Sequence, residues 1–123
     1  MGDFGSWSVT NLPVWLMTDE ATPTRPTAWY VKLHIGAPGA AGTSNPAAET
    51  TRQAIDCGTD GLSNIAAITW IDVSTTEDYS HVSVWDHVSA GNCLWQGDLN
   101  APVSVTAGDT FTIATGELDL AVS

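Results

Sequence analysis

The amino-acid sequence predicts an all-β fold: an antiparallel β-sandwich of jelly-roll type with about eight short strands, a short N-terminal helix and an extended arm. Segments rich in β-branched and aromatic residues recur along most of the chain, and Gly, Asp, Asn or Pro turns separate them. Helical signals occur in one segment near the N-terminus. We therefore expect an arm and helix over residues 1–20 and a β-sandwich domain over residues 21–123. The predicted strands are WYVKLHI, RQAIDC, NIAAITWIDV, HVSVWDHV, CLWQGDL, PVSVT, DTFTIA and ELDLAV.

The helix is predicted within VTNLPVWLMTDE, residues 9–20, and is about two turns long. A Thr-Asn pair offers the N-cap, and Pro13 suits the first turn, where its missing N–H is not needed. Leu12, Trp15 and Leu16 then fall on one helical face.

The central hairpin, residues 81–99, has two possible registers. A three-residue turn pairs Trp85 with Trp95 and leaves both faces half polar. A four-residue loop, SAGN, separates the faces, and burial favours this cleaner register. It turns Trp95 inward and leaves Trp85 and Leu94 on the outer face, where they resemble a small contact patch.

The C-terminal hairpin is predicted to turn at the Thr-Gly pair, residues 115–116. This turn would pair Ile113 with Leu118 and Phe111 with Leu120, so that all four side chains share one face.

The charge of the chain is strongly acidic. Fourteen Asp and Glu residues face three Lys and Arg residues, for a net charge of −11. Such a surface repels phosphate backbones, so we expect no direct nucleic-acid binding. Apolar runs are too short for a membrane span, and no secretory signal is visible. The two cysteines, Cys57 and Cys93, form no CxxC motif and are expected to be separate thiols.

Candidate catalytic and metal-binding groups are sparse, and we expect no catalytic, cofactor-binding or metal-binding residue. His81 and His87 share a strand face but would lie about 20 Å apart, too far for one ion. Asp86 interrupts an apolar face and could be a tuned acid of a small hydrolase. A structural role for Asp86, accepting backbone N–H groups, is favoured. The sequence therefore predicts a protein that is not an enzyme.

Six tryptophans make aromatic contacts the main candidates for function. Those inside strand patterns are expected in the core. The N-terminal aromatics lie outside any predicted strand, and they could either dock on another protein or cover an edge of their own sandwich. The predicted partner-binding residues are Phe4, Trp7, Trp15, Trp85 and Leu94.

The order of three segments resembles a family of small bacteriophage virion proteins, described as tail-fibre-like, minor capsid or capsid decoration proteins. The segments are WYVKLHIGAPG, YSHVSVWDHVSAGNCLWQGDL and PVSVTAGDTFTIATGELDLAV. Residues that match the family pattern include His81, Asp86, Trp95, Gly97 and Asp109. Cys93 departs from it, because an apolar residue is usual there.

The resemblance implies a non-enzymatic structural component of a phage particle. A minor capsid or decoration protein that binds the head lattice is favoured, because the chain is short and carries neither fibre repeats nor coiled-coil heptads. The alternative is a tail or tail-fibre module that binds a host-surface ligand. The implied partners are the major capsid protein or other virion proteins, and possible self-association as a dimer or trimer. The implied location is the virion, on the capsid surface rather than the tail, after assembly in the host cytoplasm.

Overall fold

The structure is a computed structural model that describes residues 2–19, 25–59, 61 and 63–120. The domain boundary predicted between residues 20 and 21 lies outside these residues. The described residues form seven strands and one helix. In chain order these are β1 (Gly2–Phe4), α1 (Ser6–Met17), β2 (Tyr30–His34), β3 (Gln53–Ala54), β4 (Ile68–Trp70), β5 (Glu77–Trp85), β6 (Cys93–Val105) and β7 (Phe111–Ile113).

The strands form two antiparallel sheets. The larger sheet has five strands in the order β1-β6-β5-β2-β3, and the smaller pairs β4 with β7. The all-β prediction with one short helix is confirmed, whereas the jelly-roll arrangement stays a prediction. The N-terminal segment belongs to the larger sheet, since Gly2 pairs with Gly97 and Phe4 pairs with Trp95.

Both sheets contribute to one cluster of buried apolar side chains. Trp70 and Phe111 from the smaller sheet lie with ring centres 5.6 Å apart, and Tyr79 from β5 meets the Phe111 ring edge-on at 5.1 Å. The Trp70 indole N–H donates to the Thr51 carbonyl at 2.8 Å, so its polar atom is satisfied inside the core. The larger sheet adds Val31, Leu33, Val82, Val84 and Trp95.

The loop of the central hairpin differs from the prediction. Seven residues, 86–92, connect β5 to β6 instead of the four predicted. Val84 pairs with Trp95, while the next residue, Trp85, pairs with Cys93. Leu94 is therefore the extra residue of a β-bulge. A bulge of this kind reverses which face the following side chains occupy, and strict alternation in the sequence cannot reveal it.

Strand β6 unites the two segments predicted as CLWQGDL and PVSVT. Its register against β5 shifts between two pairs, Tyr79 with Val103 and His81 with Asp98. Residues 99–102 fall between the two paired stretches. The two predicted segments thus correspond to the two stretches of β6 that pair with β5, although the backbone between these stretches stays extended.

The C-terminal hairpin was predicted with the correct turn but the wrong partner. The Glu117 N–H donates to the Ala114 carbonyl at 3.0 Å, which closes a turn at the predicted place. However, β7 pairs with β4, so that Phe111 lies opposite Trp70 and Ile113 opposite Ile68. The predicted inward direction of the Phe111 and Ile113 side chains is nevertheless correct. Pairing of β7 with either strand leaves the same face of β7 buried.

Helix α1 starts earlier than predicted and contains Pro13 in its interior. Gly5 occupies the N-cap position and supplies no side-chain cap. Instead, two backbone N–H groups at the helix start bond to other segments: Gly5 to the Leu94 carbonyl and Ser6 to the Ala40 carbonyl, each at 2.8 Å. Capping by distant backbone leaves no local signal in the sequence.

Candidate binding groove

The Leu94 bulge anchors the N-terminal helix. Its carbonyl accepts the Gly5 N–H and the Ser8 hydroxyl, both at 2.8 Å. Ser8 is the buried residue of α1, so the helix face around it rests on β6. A β-carbon on Gly5 would lie 2.1 Å from the Cys93 carbonyl oxygen, which explains why glycine stands at this close approach.

A groove of about 460 Å³ opens beside this contact. Its walls come from β1, α1, β5 and β6, from residues 25–29, 55–59 and 61, and from Leu120. The lining combines four aromatic side chains with the polar side chains of Ser8, Arg25, Asp56 and Thr59. The groove aromatics are Phe4, Trp7, Trp29 and Trp95.

Hydrogen bonds fix the loop that carries Asp56. One carboxylate oxygen of Asp56 accepts the Gly58 N–H at 2.8 Å, and its backbone carbonyl accepts the Ile65 N–H at 2.9 Å. The Trp29 carbonyl accepts the Ile55 N–H at 3.0 Å, which joins the segment of residues 25–29 to the loop that carries Asp56. This side of the groove is therefore set by the fold before any ligand arrives.

The last turn of α1 carries a second exposed apolar surface. Trp15, Leu16 and Met17 are 57%, 64% and 80% exposed, and we call these three residues the apolar helix end. The predicted helical face divides here, since Leu12 lines the groove while Trp15 and Leu16 point largely to solvent. No basic residue lies in the last turn, and exposed Asp19 follows it.

The five predicted partner-binding residues therefore separate into three environments. Phe4, Trp7 and Leu94 line the groove, and Trp15 belongs to the apolar helix end. The prediction that Trp85 faces outward is wrong, because its side chain is only 7% exposed. Sequence analysis missed Trp29, Arg25 and Asp56 as groove residues.

Trp85 is buried on the face of the sheet opposite the main core. The guanidinium carbon of Arg52 lies 4.2 Å from the centre of the Trp85 ring. Gly42, at φ +71°, lies against the same ring. A β-carbon on Gly42 would lie within 3 Å of both the Trp85 ring and the Cys93 sulfur. This face was expected to be solvated, but residues 36–46 and Arg52 cover it.

A hydrogen-bonded chain runs beneath Trp85 to buried His34. The Trp85 indole N–H donates to the Ser83 hydroxyl at 2.7 Å, and Ser83 lies 2.8 Å from His34 Nε2. His34 Nδ1 lies 2.9 Å from the Ser44 carbonyl, which can only accept. Nδ1 therefore carries a proton, and the neutral ring that burial favours accepts the Ser83 hydroxyl at Nε2. Burial is the main reason that the pKa of His34 falls to about 4.

Asp86 braces the loop of residues 86–92. Its carboxylate accepts the Asn92 backbone N–H at 2.6 Å and the Asn92 side-chain amide at 3.1 Å. His87 Nδ1 accepts the N–H groups of Ser89 and Ala90, each at 3.1 Å. These contacts match the favoured structural role for Asp86.

Three further features of the described residues bear on function. Within the described part of the chain, no group of three His, Cys, Asp or Glu side chains is arranged to hold a metal ion. The described helix, with 12 residues, is too short to cross a membrane. The structure holds Cys93 as a buried thiol.

The comparison with known families gives the class of the protein. Residues 8–121 match the family described as Podophage GP4 fiber I protein gp80. Because the match spans nearly the whole chain, the chain belongs to this family. The resemblance to tail-fibre-like phage virion proteins is thereby confirmed. No curated protein matches the chain.

Proposed function

We propose that the chain is a non-enzymatic structural protein of the phage tail, attached to another protein of the fibre assembly through the apolar helix end. The observation that carries this proposal is the exposure of Trp15, Leu16 and Met17 in one helical turn. Three large apolar side chains exposed at one helix end are a typical feature of a protein-contact site. Burial of one such side chain contributes on the order of 2 kcal/mol, so these three supply a substantial part of the free energy of attachment.

The charge of the chain defines the partner surface. Asp19 follows the apolar helix end, the last turn lacks a basic residue, and the chain carries a net charge of −11. The exposed C-terminal carbonyls of a helix add further negative potential. The complementary partner is therefore an apolar groove with Lys or Arg at its rim, which receives the helix end.

The proposed location on the tail is supported by the family description, which names a fibre protein. The non-enzymatic role is supported by the contacts of Asp86 and His34, whose side chains are engaged in structural hydrogen bonds. Mass spectrometry of separated heads and tails tests the location. Recovery with tails is expected, whereas recovery with heads would favour a minor capsid or decoration protein that binds the major capsid protein.

The attachment is tested by adding purified protein to particles assembled without it. We expect the double substitution Trp15→Ser, Leu16→Ser to lower co-sedimentation at least tenfold. Ile71→Ser is the matched control, because Ile71 is 77% exposed but lies on the loop after β4. Co-sedimentation of the double variant at the wild-type level would overturn the proposed attachment surface.

A further inference from the structure

The aromatic groove has no part in the proposed attachment through the apolar helix end. Its volume of about 460 Å³ lies within the range of small-molecule sites, roughly 300–1,000 Å³. Trp29 is 38% exposed and Trp7 is half-buried, so both rings are available to a ligand. Trp95 also lines the groove and is buried.

We infer that this groove binds a neutral sugar ring, a pyranoside, with Trp29 as the stacking surface and Arg25 and Asp56 as hydrogen-bonding partners. A pyranoside has an apolar face of C–H groups and a rim of hydroxyls. The C–H groups carry slight positive charge, so they pack favourably against the electron-rich face of an indole ring. An aromatic wall beside a few polar side chains matches both parts of such a ligand.

The charges at the groove favour a neutral ligand. Arg25 and Asp56 bring one positive and one negative group to the same lining. The net charge of −11 disfavours an anionic sugar, and Arg25 and Asp56 together add no net charge to the groove lining. A sugar hydroxyl can accept from the guanidinium and donate to the carboxylate, so one neutral ligand satisfies both groups.

The carboxylate of Asp56 is oriented for this role by the loop. One carboxylate oxygen accepts the Gly58 N–H. The other carboxylate oxygen can then accept a hydrogen bond from a ligand hydroxyl. This arrangement needs no induced change in residues 56–58. It differs from the predicted use of Trp85 on an outer face, which burial of Trp85 excludes.

The test begins with an array of neutral and sialylated oligosaccharides, and the strongest neutral sugar is then titrated by calorimetry. We expect Trp29→Ala to weaken binding at least tenfold and Asp56→Asn to weaken it severalfold. Ile71→Ala is the control, because Ile71 is 77% exposed and does not line the groove, and it should leave affinity within twofold. A thermal melt of each variant checks that the fold is retained.

Alkylation of Cys57 locates the ligand independently. Cys57 lines the groove, whereas Cys93 is buried and its pKa is raised to about 11, chiefly by burial. We expect the bound sugar to slow modification of Cys57 by iodoacetamide. The inference is overturned if no neutral sugar binds, if only charged sugars bind, or if Trp29→Ala binds as tightly as the wild type. Particle co-sedimentation depends on the apolar helix end and not on the groove. A negative sugar-binding result therefore does not affect the proposed attachment, and a negative co-sedimentation result does not affect the proposed sugar site.

Discussion

The guanidinium of Arg52 lies 4.2 Å above the centre of the Trp85 ring and joins the end of the central hairpin to the segment before β3. One of its nitrogens also donates to the carbonyls of His87 and Ala90, at 2.9 and 2.7 Å. Arg52 thus covers the Trp85 ring and closes the loop of residues 86–92 at once. The planar group performs both roles because its face meets the ring while its N–H groups point sideways.

Replacement of Arg52 tests this double role. We expect Arg52→Met to lower the free energy of unfolding by about 1–3 kcal/mol, since a cation–π contact and two carbonyl hydrogen bonds are lost. Arg52→Lys should recover only part of the loss, because an ammonium group lacks the flat fork. Urea denaturation measures both, with exposed Arg25→Met as the control. If Arg52→Lys were as stable as the wild type, a positive charge alone would account for the stabilisation, and the planar guanidinium would not be needed.

The buried imidazole of His34 predicts a loss of stability in mild acid. Its pKa is about 4 in the folded state, below the usual 6.5, chiefly because burial disfavours the charged form. Between these values the unfolded chain binds the extra proton, so stability is fully present above pH 6.5 and falls as the pH decreases toward 4. The full loss is about 3 kcal/mol, of which about 2 kcal/mol is reached by pH 5.

Chemical denaturation at pH 7 and pH 5 measures this dependence. The variant His34→Gln lacks the titrating group and should show a smaller difference between the two pH values, whatever its absolute stability. Direct NMR titration gives a second measurement. A His34 imidazole that titrates near pH 6.5 in the folded protein would contradict the prediction.

The hydroxyl of Tyr79 predicts a substitution that stabilises the protein. Tyr79 is fully buried, and no described residue gives its hydroxyl a hydrogen bond. Burial raises its pKa to about 12. Tyr79→Phe keeps the ring contact with Phe111 and removes the unsatisfied polar atom, so we expect a gain of about 1 kcal/mol. Thermal and urea unfolding measure it, and a destabilised Phe variant would indicate an internal water bound to the hydroxyl.

The hydrophobic periodicity of the sequence predicted the core residues more successfully than it predicted the geometry of the central hairpin. Val31 and Leu33 alternate along the predicted strand WYVKLHI and are fully buried, and Trp95 is buried as expected. The inward direction of Phe111 also follows from alternation alone. These positions are predictable because each is determined by nearest neighbours along a strand.

The position of Trp85 depends on features that the local pattern does not contain. The Leu94 bulge changes the register by one residue, and cover for the second face comes from a glycine-rich loop and Arg52, more than 30 positions away along the chain. The groove was missed for the same reason. Arg25 and Trp29 lie in one segment and Asp56 in another, and only the fold brings the two segments together.

The close contact at Gly5 predicts a steric effect free of backbone strain. Gly5 has φ −66°, which any residue can adopt, but an added β-carbon would lie 2.1 Å from the Cys93 carbonyl oxygen. We expect Gly5→Ala to cost about 1–3 kcal/mol, as overpacking typically does. Ser6→Ala is the neighbouring control, since Ser6 is exposed. Equal urea midpoints for the two variants would show that the helix start can move away from β6 without loss.

Deletion of residues 1–8 tests whether the N-terminal segment is part of the domain. The deletion removes β1, the first turn of α1 and both hydrogen bonds to the Leu94 carbonyl, and it uncovers Trp95. We expect the free energy of unfolding to fall by several kcal/mol, because a large aromatic side chain and an edge of the sheet become exposed. Differential scanning calorimetry of the truncated and full chains measures this loss. The single substitution Ser8→Ala, which removes one of the two bonds, should cost about 1 kcal/mol and separates hydrogen bonding from burial. A truncated chain that melts at the wild-type temperature would show that the segment is a dispensable arm, available for a partner.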